Sequence, residues 1–204
     1  FKTSNIDQTL WQALLDARKV HGGNRVILED IQRQPMNYDR LVLGSFILGK
    51  KLAALTPNQK NVGILLPNAN SAIVAFFGLH AFGRVPAMLN FSTGAVNMAA
   101  ACTAAQIQTI ITSRKFIELG EMDEDIKLLQ RTCKIVYLED VRDTVNTANK
   151  LTGLVNRTFA SSALDRKGAN NDPNAPGVIL FTSGSEGLPK GVILSHRNII
   201  ANCH

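Results

Sequence analysis

The chain has 204 residues, 45% of them hydrophobic and 19% charged, a content that can bury enough apolar surface to offset chain entropy and so excludes disorder. Its 15 Gly and 7 Pro exclude a collagen-like or low-complexity chain, and 22 Lys+Arg against 16 Asp+Glu leave a net charge of +6. The length suits one domain, or one large lobe of a bigger fold.

Apolar periodicity alternates between helix and strand spacing along the chain. Leu10, Trp11, Leu14 and Leu15 predict a helix from Asp7 to His21-Gly22-Gly23, with Trp11 as its anchor. Arg25 to Asp30 reads as a short strand, Pro35 as a turn, and Asp39 to Leu55 as an amphipathic helix. Val62 to Leu66, closed by Pro67-Asn68, has the form of a buried parallel strand. Ser71 to Gly83 is apolar on nearly every side and predicts a deeply packed helix, in which His80 is a satisfied core residue. Val85 to Leu89 follows as a strand, Val96 to Ala105 as a helix, and Thr109 to Thr112 as a strand. Phe116 to Gln130 reads as one acidic helix and Ile135 to Leu138 as a further strand. Ser161 to Gly177 is rich in Ser, Asp, Asn, Gly and Pro and reads as a loop. This alternation predicts an α/β fold with a mostly parallel sheet and flanking helices.

The longest apolar stretch, Ala72 to Gly83, falls short of the roughly 18–20 residues a membrane span needs. Cys102, Cys133 and Cys203 are far apart in sequence and form no CxxC pair, so neither a disulfide framework nor a zinc site is expected and a reducing, cytoplasmic setting fits. Cys102 reads as a small buried residue. Charge is uneven: Ile31 to Lys115 holds eight basic residues against Asp39 alone, and Glu118 to Asp143 holds eight acidic against four basic. This pattern suits either solvated helix faces or a surface that attracts an anionic partner through its field. Nucleic acid is disfavoured, because no basic run is interleaved with aromatics.

The chemistry is concentrated near the end of the chain. An apolar strand from Gly177 leads into Thr182-Ser183-Gly184-Ser185-Glu186-Gly187-Leu188-Pro189-Lys190-Gly191, and a second apolar strand follows. Small residues let successive backbone N–H groups line one concavity, and hydroxyls and a lysine ammonium can join them there; a polyphosphate needs that donor set. The segment is not a Walker A loop, since no Gly-Lys-Ser/Thr triplet opens a helix. The blander alternative is a β-hairpin with a lysine near its tip.

TSGSEGLPKG, followed by VILSHRNI at Val192 to Ile199, resembles the phosphate-binding signature of the AMP-forming acyl-adenylating superfamily. VGILLPN at Val62 to Asn68 and FGLHAFGRVPAMLN at Phe77 to Asn90 resemble the first strand and the helix-turn-strand of that family's large N-terminal domain. With Glu186 in place of the usual Thr, and with Leu10 to Lys19 and Ile27 to Ala53, the chain is similar to a narrower group: the acyl-acyl-carrier-protein synthetase half of bacterial bifunctional 2-acylglycerophosphoethanolamine acyltransferases. The resemblance implies that residues 1–204 form the N-terminal portion of an AMP-binding, luciferase-like domain. It implies ATP and Mg²⁺ as cofactors, a fatty acid as substrate and acyl carrier protein, or alternatively CoA, as thiol acceptor. Thr182, Ser183, Gly184, Ser185, Gly187 and Lys190 would then grip the phosphates, with Glu186 pointing away or helping to hold Mg²⁺.

No catalytic residue and no metal ligand is assigned within this stretch, because the family's nucleotide motifs and catalytic lysine lie further on. Phe1 in place of Met, and a close on Cys203-His204 directly after a helix signal, suggest that both ends are cuts in a longer protein. The 204-residue chain alone is accordingly expected to be inactive, with membrane association, at the bacterial inner membrane, belonging to other parts of the parent. The alternatives are an acyl-CoA synthetase or a catalytically silent phosphate-binding module. His196 either sits near the acyl or nucleotide pocket, or braces the loop or caps the helix beginning near Arg197. Ile199 and Ile200 are expected to leave an exposed apolar face on that helix.

Overall fold

The computed structural model describes residues 6–145, 171–183 and 189–203. Six strands form the main sheet: β3 (Asn61–Ile64), β4 (Val85–Met88), β5 (Thr109–Thr112), β6 (Lys134–Tyr137), β7 (Pro176–Ser183) and β8 (Pro189–Ser195). Their order is β6-β5-β3-β4-β7-β8; neighbours are parallel except β7 and β8, which pair antiparallel. β1 (Val26–Glu29) and β2 (Pro35–Asn37) make a separate antiparallel ribbon. The predicted mostly parallel α/β sheet is therefore present.

Side-chain alternation along the strands divides the core into two layers. Val62, Ile64, Ile111 and Val136 pack with Leu52 of α2 (Tyr38–Leu55) and with Ala75 and Leu79 of α3 (Asn70–Ala81). On the other face Ala87, Ile110 and Ile179 pack with Met98, Ala101 and Cys102 of α4 (Gly94–Ala104). Ile117 of α5 (Arg114–Leu119) and Ile126 and Leu129 of α6 (Asp123–Leu129) complete that layer. α1 (Leu10–His21) begins with a Thr9–Gln12 capping box and buries Trp11, Leu14 and Leu15 beside Leu41, Val42 and Phe46. Trp11, 3% exposed, is the anchor its position predicted.

α2 and α3 cross closely because Gly49 meets Gly78 there. A Cβ on Gly49 would lie 2.2 Å from the Gly78 carbonyl oxygen and 2.7 Å from Phe82 Cδ2. α3 buries Ala72, Ala75, Gly78, Leu79, His80 and Ala81, yet Ser71 and Ile73 face outward, so the all-round burial expected of it stops at one flank.

Several boundaries differ from expectation. Pro35 opens β2, where a missing N–H is harmless at the end of a two-stranded ribbon. The single acidic helix is two helices, split where Glu121 takes φ 51° and the Met122 N–H returns to the Ile117 carbonyl. A short helix, α7 (Leu138–Asp143), follows β6 directly, with Glu139 and Asp140 in its first turn where the helix dipole favours them. Pro176 and Gly177 belong to β7 rather than to the loop, and residues 161–170 of that loop lie outside the described residues. α8 (His196–Asn202) ends the described chain. Its Ile200 is buried at 6% exposed, so the open apolar surface lies instead on the hairpin, at Val192 and Ile193. Among the described residues no helix is long and apolar enough to cross a membrane.

Candidate phosphate-binding hairpin

β7 runs parallel to β4 with Ala87 beside Ile179, and β4 ends one residue later at Met88. Phe181 to Ser183 therefore extend past the carboxyl edge of the parallel strands, by about 10 Å at strand rise. Ligands of open α/β sheets bind at that edge. β8 returns from it, pairing Ser183 with Pro189, Thr182 with Lys190 and Phe181 with Gly191. The backbone is thus the hairpin of the blander reading, and the phosphate-loop reading concerns the chemistry at its tip.

The hairpin's two faces are distinct. Phe181 and Ile179 pack into the layer beneath α4, whereas Thr182 and Lys190, directly opposite each other, are both exposed. The cross-strand register thus sets a hydroxyl beside an ammonium. Among the described residues no carboxylate pairs with Lys190. Of the predicted phosphate contacts, Thr182, Lys190 and the backbone of Ser183 are described; Gly184, Ser185 and Gly187 lie outside the described residues, as does Glu186. The described part fits a polyphosphate: the Thr182 hydroxyl and the Lys190 ammonium stand on neighbouring strands at the ligand edge of the sheet.

The base of the hairpin is tied down. The His196 N–H donates to the Ala175 carbonyl (3.2 Å) and the Arg197 N–H to the Pro173 carbonyl (2.8 Å). His196 Nδ1 accepts from the Leu10 N–H (3.3 Å), and Arg197 pairs with Asp7, so both ends of the described chain meet under β7. Gly177 permits this packing: a Cβ there would lie 3.0 Å from both His196 N and Ile199 Cδ1. Sequence reasoning missed Gly177, whose only signal was a glycine opening an apolar strand.

A family model described as "AMP-binding enzyme" matches residues 16–204. The chain belongs to the AMP-binding enzyme family. It is 26% identical over 169 residues to a sulfoacetate–CoA ligase of Cupriavidus necator, covering 82% of the chain and 31% of that protein. Over 106 residues it is 31% identical to long chain acyl-CoA synthetase 8 of Arabidopsis thaliana, covering 47% of the chain and 14% of that protein. The fold matches a benzoate CoA ligase from Burkholderia xenovorans LB400 at TM-score 0.71 and 14% identity, over 95% of the chain and 36% of that structure. The chain thus spans less than a third of the length of these curated relatives.

Within this family framework, His196 braces the base of the hairpin, whereas the helix cap that its second reading also offered is Ser195, whose hydroxyl accepts from the Asn198 N–H. His196 is 6% exposed, and its ring centroid stands 5.0 Å from that of His80. Burial lowers the His196 pKa, with the Asp172 charge opposing. His80 is buried but not satisfied: its Nε2 has no hydrogen-bond partner, and burial, helped by His196, lowers its pKa to about 3. An unfilled position on a neutral imidazole costs less than a buried charge would, which explains why this pair is held neutral.

The basic excess is partly structural. Arg84 donates to the carbonyls of Phe82, Ala53 and Thr56, and Arg114 grips Asp140 through both terminal nitrogens while lying 4.3 Å over the Tyr137 ring. Among the acids, Asp125 accepts from the Ala95 N–H at the start of α4, and Glu139 from Ser113 and Arg114. Among the described residues no three His, Cys, Asp or Glu side chains cluster as a metal site would require. A groove of about 530 Å³ between α2, α3 and α7 is lined by no hairpin residue.

Proposed function

We propose that this chain supplies the phosphate grip of an ATP-dependent ligase that activates a carboxylic acid and passes the acyl group to a thiol. The observation that carries the reading is the Thr182–Lys190 pair on a Ser/Gly-rich hairpin projecting from the carboxyl edge of the sheet, in a chain of the AMP-binding enzyme family. Mg²⁺-bound ATP, when present, supplies the activated phosphorus that the carboxylate attacks and the pyrophosphate that leaves. Thr182, Ser183, Gly184, Ser185 and Gly187 would hold the β- and γ-phosphates, and Lys190 would offset the negative charge that builds on the leaving group. His196 and Gly177 hold the base of the hairpin, so its tip rests on a fixed platform.

The finer reading is a fatty acid as substrate and the phosphopantetheine thiol of acyl carrier protein as acceptor, serving lysophospholipid reacylation. The segments Leu10 to Lys19 and Ile27 to Ala53 support it. A second reading, CoA as acceptor, is favoured by the relatives, two of which are named as a CoA ligase and an acyl-CoA synthetase. The deciding experiment gives the natural full-length protein ATP, Mg²⁺, a labelled fatty acid and either holo-carrier protein or CoA, and identifies the thioester by mass. Transfer to carrier protein supports the finer reading and transfer to CoA alone the second. No thioester with either acceptor overturns both.

A further inference from the structure

The first turn of α1 is tied to the root of the hairpin by a histidine 186 positions away. Leu10 is the first residue of α1, and its N–H is one of the orphan donors that a helix leaves at its start. Thr9 caps the turn by accepting from the Gln12 N–H, and the Leu10 N–H goes to His196 Nδ1 (3.3 Å). Arg197 pairs with Asp7 just before that turn. The same two residues of α8 also hold the entrance to β7, through the His196 N–H to the Ala175 carbonyl and the Arg197 N–H to the Pro173 carbonyl. α8 begins where β8 ends. His196 and Arg197 therefore join three pieces of chain: the start of α1, the entrance to β7 and the exit of β8.

We propose that His196 is a proton-sensitive latch: neutral, it holds the first turn of α1 against the root of the hairpin, and protonated, it releases that turn. The hydrogen bond sets the protonation state. A ring nitrogen that accepts carries no proton, so Nδ1 is bare and the hydrogen of the neutral ring sits on Nε2. An imidazolium has an N–H at both positions, and its Nδ1–H would face the Leu10 N–H, donor against donor. The ring has little room to turn away. It is 6% exposed, the His80 ring of α3 stands 5.0 Å off between centroids, and a Cβ on Gly177 of β7 would lie 3.2 Å from Nδ1. The ionisable groups around it are His80 from α3, Asp172 from the segment before β7, Arg197 from α8 itself and, through Arg197, Asp7 from the segment before α1; β7 presents the uncharged Gly177. Burial outweighs the pull of Asp172 and moves the transition below the ordinary 6.5, so the latch is closed at neutral pH and opens in acid. A looser root would reach the phosphate grip only if the function proposed above holds, whereas the latch itself is read without nucleotide.

The test follows amide hydrogen exchange and imidazole nitrogen shifts of the folded chain by NMR, from about pH 7.5 to about pH 4. The expected result is an Nε2–H tautomer at His196 at neutral pH, and a protection factor at Leu10 that falls about tenfold on acidification, the upper end of one hydrogen bond's net worth. The Thr56 amide, which bonds to the Leu52 carbonyl at the far end of α2, should lose much less over the same range. His196→Asn sets an amide oxygen near the place of Nδ1 and removes the titrating proton, so Leu10 should stay protected across the range. His196→Ala should lose that protection throughout. The proposal is overturned by a proton on Nδ1 at neutral pH, by Leu10 and Thr56 losing protection in step, or by His196→Asn responding to acid as the unaltered chain does. Should a variant fail to fold, the tautomer and the two amides of the unaltered chain decide alone.

Discussion

The crossing of α2 and α3 yields a quantitative contrast between two glycines on one helix. At Gly49 a methyl group would sit 2.2 Å from the Gly78 carbonyl oxygen, which is backbone and cannot rotate away. Relief requires the helices to part by about 1 Å, loosening the packing of Leu52, Ala75 and Leu79 beneath them. Overpacking of this kind costs about 3 kcal/mol at the upper end of its usual range, against a gain of about 1 kcal/mol in helix propensity. Gly49→Ala should therefore destabilise by about 2 kcal/mol and lower the unfolding temperature by roughly 4–8 °C for a chain of this size. At Gly44, five residues earlier, the same methyl would meet Val74 Cγ1 at 3.4 Å, ordinary van der Waals contact. Gly44→Ala keeps only the propensity gain and should raise stability by about 0.5–1 kcal/mol. Thermal unfolding followed by circular dichroism compares the two. A Gly49→Ala chain that melts at or above the unaltered one, or a Gly44→Ala chain that melts as low as Gly49→Ala, refutes the reasoning.

Further expectations concern the hairpin and its supports. The folded pKa values of His80 and His196 lie below the ordinary 6.5, so the unfolded chain binds more protons in that range. Stability should accordingly be full above about pH 6.5 and decline as pH falls toward about 3, and urea midpoints across this range should show a shallower acid limb in His80→Phe. Gly177→Ala, which presses a methyl on His196 N and Ile199, should cost about 1–2 kcal/mol by urea titration, with greater hydrogen exchange at Leu10 and Arg197. Lys190→Ala should leave the unfolding temperature unchanged, because Lys190 is exposed, while in the full-length protein it lowers kcat/KM for ATP roughly 10²-fold.

The sheet was legible because its strands are short apolar runs bounded by turn residues, as Val62 to Leu66 and Thr109 to Thr112 show. Features that depend on a partner far away in sequence were not. Gly49 carries no mark of Gly78, and His80 none of His196, since each pair meets only when the elements dock. Short elements also escaped. Leu138 to Asp143 is too brief for helical period to show, and a non-glycine residue at positive φ, Glu121, broke a helix whose apolar pattern runs on unbroken. The phosphate motif was readable as chemistry from residue types alone, whereas its position at the carboxyl edge of the sheet, with Thr182 opposite Lys190, required the register of β4, β7 and β8.

The most direct test of the proposed phosphate grip is exchange of labelled pyrophosphate into ATP by the natural full-length protein, run with a series of fatty acids and repeated with Lys190→Ala. The account predicts exchange that depends on the fatty acid and on Mg²⁺, and that falls roughly 10²-fold in the folded variant. Exchange at an unaltered rate in Lys190→Ala, or no exchange with any carboxylic acid by the folded protein, would contradict it.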